Sequence, residues 1–277
     1  MKVLKQLFNF YLNSSIHVAL SVYALSWITL IEYDRPYDEN ILYFVFFATI
    51  TGYNFIKYFG LAKFHHRSLA NWLKVIQIFS LMCFIMMCYY AYQLHKDTMI
   101  VIGVMGVITF LYAIPFLPKR ILFDKNQNLR QISGLKIYVI GLVWAVVTVI
   151  LPLVNASVEI SADVYMSSIQ RFLLVLVLML PFEIRDLNYD NLKLATIPQL
   201  IGIKKTKAIG MLLLIIIFLL EYLKDDLQTK MIVSNLAVVF LLLLLLAFSR
   251  KDQSKYYSAF WVESVPIFWL AILLLFR

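Results

Sequence analysis

Three carboxylates at helical spacing close one of the apolar runs of this sequence. Glu183, Asp186 and Asp190 occupy positions i, i+3 and i+7, so a continuing helix presents them on one face. Like charges near a helix C-terminus repel one another and oppose the helix dipole, and a bound cation offsets both costs. Mg²⁺ often bridges a few carboxylates to a substrate phosphate. The spacing therefore indicates a magnesium site.

The elements that position these carboxylates are membrane helices. Of the 277 residues, 62% are hydrophobic and 15% are charged, a balance typical of integral membrane proteins. Nine apolar runs are each near the length of about 20 residues that crosses the hydrocarbon layer. They cover residues 11–31, 40–62, 69–94, 97–118, 134–154, 164–184, 207–223, 229–249 and 257–276. The strands of a membrane barrel are shorter and alternate between apolar and polar residues. We therefore predict one all-helical, polytopic membrane domain over residues 1–277.

The positive charges fit nine spans with the N-terminus in the cytoplasm. In that topology the inner side holds 19 of the 25 Lys and Arg residues, as the positive-inside rule requires. The net charge of +9 then reflects topology and the anionic lipid bilayer, and it argues against nucleic acid as a partner. With no processing signal recognisable, we expect a bacterial-type inner membrane. The eight glycines show no paired interruptions of the kind that transporters have.

Polar side chains inside the spans mark candidate cavity walls, because they are costly in lipid. Two stripes repeat every four residues: Asn13, His17 and Ser21 on the first span, and Thr49, Tyr53 and Lys57 on the second. Asn54 lies beside the second stripe. Hydrogen bonding between helices explains such residues as well as a cavity does, and Lys57 can snorkel to the interface.

Two further charges lie inside predicted spans. Glu263, in the last span, must be protonated or paired, and the sequence does not identify its partner. Arg171 is near the outer end of its span, where we expect it to snorkel to the interface.

Basic residues accumulate in the same predicted cytoplasmic loops as the three carboxylates. Those nearest the span ends include Lys57, Lys119, Arg120, Lys136 and Arg185. A diphosphate needs such a cluster, because a metal takes some of its oxygens and Lys and Arg neutralise the rest. The positive-inside rule predicts most of these lysines without any ligand, so the carboxylates carry the argument.

The motif residues resemble the UbiA superfamily of membrane prenyltransferases, which has nine membrane helices and two metal-binding loops on the cytoplasmic side. Its second motif, D-x-x-D-x-x-x-D followed by T-[LI]-P-x-x-x-G, is similar to Glu183, Asp186 and Asp190 followed by the segment 196–202, TIPQLIG. Its Tyr-Ser-x-Pro-Pro stretch resembles the segment 112–120, YAIPFLPKR. Gly134-Leu-Lys136 is similar to the family's usual continuation of that stretch.

The first motif of that family, N-D-x-x-D-x-x-x-D, is not preserved. It falls at the end of the second span, where residues 52–60 read GYNFIKYFG and contain no carboxylate. Two consequences are open. Lys57 contacts the diphosphate directly and one Mg²⁺ remains on the second motif, or the ionising chemistry is lost and the cavity only binds an isoprenoid or quinone-like lipid.

The resemblance implies transfer of a prenyl group from a polyprenyl diphosphate to a lipophilic acceptor, with Mg²⁺ as cofactor. Asp186 and Asp190 would be the catalytic metal ligands, with Glu183 a weaker third. The substrate-binding residues would be Asn54, Lys57, Tyr112, Lys119, Arg120, Lys136 and Arg185.

Overall fold

The computed structural model describes residues 2–58, 71–113, 134–187 and 196–276, and these are helical with no strand among them. The helices are α1 (Lys2–Asn13), α2 (Ile16–Glu32), α3 (Glu39–Tyr58), α4 (Asn71–Ala91), α5 (Lys96–Ala113), α6 (Leu135–Ala145), α7 (Leu151–Asn155), α8 (Ala162–Asp186), α9 (Ile197–Leu220), α10 (Thr229–Phe248) and α11 (Val265–Leu275). A π-helical turn, Val146–Ile150, joins α6 to α7, and a second, Tyr257–Val262, precedes α11. A 3-10 turn, Glu221–Leu223, follows α9.

The predicted all-helical, multi-pass membrane architecture is confirmed. Within the described residues, seven helical segments are long and apolar enough to cross a membrane, and the bent pair α1–α2 makes an eighth. The two parts of that pair meet at an angle of 53°. Each of the nine predicted spans contains a helix, although α3 does not reach the same apolar threshold. Its polar residues, which include Thr49, Tyr53 and Lys57, explain that difference.

Helices α2 and α8 form the centre of the protein. The side chains of Leu25 and Ile28 on α2 are fully buried, and so is that of Ile184 on α8. By contrast, α4 and α5 expose apolar residues, such as Leu81 and Val107, over most of their length. An apolar surface of that extent requires lipid rather than water around it.

Arg171 lies inside the bundle, so the prediction that it snorkels at the outer interface is wrong. Its side chain is 3% exposed. Its Nη1 donates to the carbonyl of Leu25 (2.9 Å) and to Oγ1 of Thr148 (3.1 Å). The guanidinium carbon is 5.5 Å from the centroid of the Trp269 ring. The carbonyl, hydroxyl and aromatic face replace the water that an arginine otherwise needs.

A buried ionic cluster joins α2 and α8 to the 3-10 turn after α9, at the end of the bundle opposite Lys57. Nζ of Lys224 is 2.7 Å from Glu32 Oε1 and 2.8 Å from Glu221 Oε2. Ser167 donates to Glu32 Oε1 (2.5 Å), and Gln170 donates to Glu221 Oε2 (3.0 Å). Each buried charge therefore has an opposite charge and a further hydrogen bond, which is the condition for burying it at all.

Candidate functional site

A cavity of about 930 Å³ lies among α2, α3, α4, α5, α6, α8 and the π turn before α11. Most of the side chains on its wall are apolar. They include Val22, Phe44, Met87, Ile140, Leu178 and Val262. The volume is at the upper end of the range of ligand pockets, about 300–1,000 Å³. The wall therefore suits a long apolar ligand.

One end of the cavity is polar because the ends of four helices meet there. The C-terminal ends of α3, α5 and α8 and the N-terminal end of α6 contribute Lys57, Tyr112, Arg185, Asp186 and Lys136 to its wall. The structure thus brings together these five predicted site residues. Lys119, Arg120 and Asp190 lie outside the described residues.

Arg185 and Asp186 form an ion pair at this end. Nε of Arg185 is 2.7 Å from Oδ1 of Asp186, and the two side chains are 21% and 24% exposed. The guanidinium carbon of Arg185 also lies 5.4 Å from the centroid of the Phe182 ring. The ring and the carboxylate hold a planar cation on the cavity wall, where it can bind an anionic oxygen.

Lys57 is held in place through the break between α1 and α2. Its Nζ donates to Oγ of Ser15 (2.8 Å), and it lies 5.9 Å from the centroid of the Tyr53 ring. Ser15 adopts a left-handed conformation, with φ of 64°, at the helix break. Sequence reasoning missed Ser15, although the run Asn13-Ser14-Ser15 has the composition of a helix start.

Asn54 is buried behind the cavity wall, where it supports this arrangement without lining the cavity. Its side chain is 3% exposed. Its Oδ1 accepts from Ser15 Oγ (2.8 Å), and its Nδ2 donates to the Ser14 carbonyl (3.0 Å) and to Ser80 Oγ (2.8 Å). These bonds tie the helix break to α3 and α4, so Asn54 positions Ser15, and through it Lys57.

The residues of the polar stripe on the first span have different roles. His17 is 2% exposed, with Nδ1 2.6 Å from the Tyr11 hydroxyl and Nε2 3.0 Å from the Phe260 carbonyl, so it fastens α2 to the π turn. Asn13 is exposed, and its carbonyl accepts from Tyr58 (2.8 Å). Neither residue lines the cavity. The hydrogen bond of His17 to Phe260 agrees with the interhelical alternative, whereas Asn13 contributes only its backbone carbonyl.

Tyr53 and Glu263 do lie on the cavity wall. The hydroxyl of Tyr53 accepts from Trp144 Nε1 at 3.0 Å. Glu263 shares this wall with two cations of the polar end, Lys57 and Arg185.

The second motif has a structural role as well as a chemical one. Glu183 is 3% exposed, and its Oε2 accepts from the backbone N–H of Ile197 (3.3 Å) at the start of α9. The N–H of Thr196 donates to Gln199 Oε1 (3.0 Å), which caps the same turn. Gly202, with φ of 79°, breaks α9 one turn later, in a conformation that other residues seldom adopt.

The donor chemistry fits a single Mg²⁺ at Asp186. Mg²⁺ is usually held by one or two carboxylates together with substrate phosphates and water. Asp186 is the carboxylate of the motif that reaches the cavity among the described residues, and Glu183 is turned toward α9. Within the ranges that the structure describes, no three His, Cys, Asp or Glu side chains are grouped closely enough to hold a metal. Asp190 lies outside those ranges.

Comparison with known proteins identifies the fold. No protein-family model matches the chain, and no curated protein matches it by sequence. The structure is similar to that of a digeranylgeranylglyceryl phosphate synthase in membranes, with a TM-score of 0.57 and 15% sequence identity, over 98% of this chain and 96% of the other.

The chain therefore has the fold of that synthase. The predicted resemblance is therefore confirmed for the fold, over nearly the whole chain. At 15% sequence identity, the similarity establishes the fold and does not establish the function. The chemistry of the cavity must therefore be inferred from the residues that line it.

Proposed function

We propose that the protein is a membrane prenyltransferase, which transfers a prenyl group from a polyprenyl diphosphate to a lipophilic acceptor. The observation that carries the proposal is the composition of the 930 Å³ cavity, apolar along most of its wall and cationic at one end. A prenyl chain is a hydrocarbon that ends in a diphosphate, and it matches both parts. The charge of the loops supports a bacterial-type inner membrane, with the cationic end facing the cytoplasm.

The cations at the polar end would hold the diphosphate. Lys57, Lys136 and Arg185 line the cavity there, and three positive charges approach the charge of a diphosphate. We assign Lys119 and Arg120 to the same group on the basis of the sequence. Tyr112 on this wall would border the first prenyl unit.

Asp186 and Asp190 would hold Mg²⁺ beside these cations. When bound, the metal neutralises charge that develops on the departing diphosphate. Asp186 also forms an ion pair with Arg185, so the carboxylate would orient the guanidinium toward the diphosphate. Glu183 supports the start of α9, and we therefore assign the metal to the two aspartates.

A non-catalytic isoprenoid-binding protein is the alternative function. The end of the second span favours this alternative, because residues 52–60 contain no carboxylate where the family has metal-binding aspartates. With one metal motif absent, less positive charge opposes the charge on a leaving diphosphate.

Diphosphate release separates the two functions. Purified protein is incubated with labelled geranylgeranyl diphosphate, with Mg²⁺ or with EDTA, and compared with Asp186→Asn and Asp190→Asn. The enzyme requires Mg²⁺-dependent release that both substitutions reduce by about 10²-fold or more. Asp252→Asn is the matched control, because Asp252 is exposed and is not part of the cavity wall.

Binding of the same diphosphate tests the cationic end. Lys57→Gln should weaken binding about tenfold or more, since a charged hydrogen bond contributes about 1.5–3 kcal/mol. Lys205→Gln, on the exposed face of α9, should leave it unchanged. Binding without release, equal in wild type and both aspartate variants, would contradict the enzyme and support the binding protein.

A further inference from the structure

Glu263 is a carboxylate of the cavity wall to which the proposed diphosphate site gives no task. It immediately follows the π turn Tyr257–Val262, and such turns are frequent at functional sites. Its backbone N–H donates to the Ser258 carbonyl (3.2 Å), and its carbonyl accepts from the hydroxyl of Ser21 on α2. The position of Glu263 is therefore fixed from two sides.

The backbone of Glu263 contacts α2 deeper in the membrane than the side chain of Lys57 does. Lys57 is bonded to Ser15, at the start of α2, whereas the backbone of Glu263 is bonded to Ser21. Six residues of helix separate these two levels, which is roughly 9 Å. A prenyl diphosphate whose head is held by Lys57 would pass Glu263 with its first carbons.

The side chain of Glu263 faces open cavity. Among the described residues it takes part in no ion pair, although Lys57 and Arg185 line the same cavity. A carboxylate opposes the binding of a diphosphate, so Glu263 gives no advantage in holding that ligand. A carboxylate suits the level of the first prenyl carbon. Positive charge develops on that carbon, and the acceptor that attacks it must lose a proton.

We propose that Glu263 is a catalytic residue that accepts the proton of the acceptor, and that the acceptor is a lipophilic molecule with a hydroxyl group. The inference rests on the proposed function. A carboxylate accepts a hydrogen bond from a hydroxyl before reaction, which places the oxygen next to the prenyl carbon. A carbon acceptor offers the carboxylate no such hydrogen bond.

The transfer step conserves atoms and electrons. The bond between the first prenyl carbon and the diphosphate oxygen breaks, and both electrons leave with the diphosphate. A lone pair of the acceptor oxygen forms the new carbon–oxygen bond. The hydroxyl proton passes to the Glu263 carboxylate, which releases it to water after the products leave. The products are an ether and diphosphate.

The test measures transfer and binding separately. Purified protein receives labelled geranylgeranyl diphosphate with 4-octylphenol, with its methyl ether 4-octylanisole, or with 1-octanol. We compare wild type, Glu263→Gln, Glu263→Asp and the control Glu159→Gln, whose residue is exposed outside the cavity. The readouts are kcat for transfer and the Kd for the diphosphate substrate.

We expect Glu263→Gln to lower kcat by about 10²–10⁴-fold, the usual contribution of a general base. Its Kd should remain within threefold of wild type or become tighter. Glu263→Asp should recover at least tenfold of the lost rate, Glu159→Gln should behave as wild type, and 4-octylanisole should give no product.

Three results would overturn the inference. The first is an unchanged kcat in Glu263→Gln, and the second is a parallel loss of rate and binding, which marks a structural role. The third is equal transfer to 4-octylanisole, which excludes the hydroxyl acceptor. Any of these with an active wild type leaves the proposed function intact, whereas a wild type that releases no diphosphate contradicts both.

Discussion

Replacement of Lys224 by methionine tests the buried ionic cluster. The Lys224 ammonium lies 2.7 Å from Glu32 and 2.8 Å from Glu221, and the three side chains are 5%, 10% and 4% exposed. Methionine keeps most of the length of the side chain and removes its charge. Two buried carboxylates then lack their common cation, so we expect Lys224→Met to destabilise the folded protein.

The hydrogen bonds that remain set the size of this effect. Removal of one partner of a buried ion pair costs about 3–5 kcal/mol. Ser167 still donates to Glu32, and Gln170 and Asn235 still donate to Glu221. We therefore expect the lower value, about 3 kcal/mol, which corresponds to a decrease of roughly 6–12 °C in Tm for a chain of this size.

The effect has a defined pH dependence. Burial lowers the pKa of Lys224, but the carboxylates of Glu32 and Glu221 outweigh it, and the net pKa lies above its ordinary value of 10.5. A raised pKa of a cation means that the stabilisation is complete below the unfolded pKa and lost as pH rises through the folded one. The Tm difference between wild type and Lys224→Met should be constant from about pH 7 to 10 and shrink above that.

The two cysteines provide the assay. Cys83 is buried and Cys88 is exposed, so a thiol-reactive fluorophore reports unfolding in a Cys88→Ser background. Tryptophan fluorescence follows the pH series, because thiol reactivity itself changes with pH. Lys230→Met is the control: its contact with Asp34 (3.3 Å) joins side chains that are 34% and 72% exposed, and such pairs contribute about 1 kcal/mol or less. A Tm for Lys224→Met equal to that of the control would refute the reasoning.

Two further substitutions test packing and positioning. Gly210→Ala should lower stability by about 1–3 kcal/mol, because a new Cβ would overlap Leu246 and lie 2.7 Å from Leu180, whereas Gly103→Ala, with nothing within 4 Å, should be tolerated in the same thermal assay. Asn54→Ala should weaken binding of geranylgeranyl diphosphate at least threefold although its side chain is buried, since it removes the hydrogen bonds that position the helix break. Unchanged affinity would show that the break is held without Asn54.

The sequence by itself determined that this is a helical membrane protein. It also determined which helix ends carry the candidate site residues. Hydropathy and the positive-inside rule depend on one helix and its solvent, so they can be read without knowledge of neighbours. The same holds for the three residues Lys57, Lys136 and Asp186, which lie at span ends in the sequence and on the polar end of the cavity in the structure.

The tertiary structure alone decided where the polar side chains inside the spans point. Arg171 and Asn54 are satisfied by groups on other helices, and Glu263 lies on the wall of a cavity that α3 and α8 also line. Spacing along one helix specifies a face, but the partner of that face depends on which helix packs against it and at what depth. The π turn before Glu263 adds a local change of register that a regular helical period does not contain, and it places this carboxylate on the cavity wall.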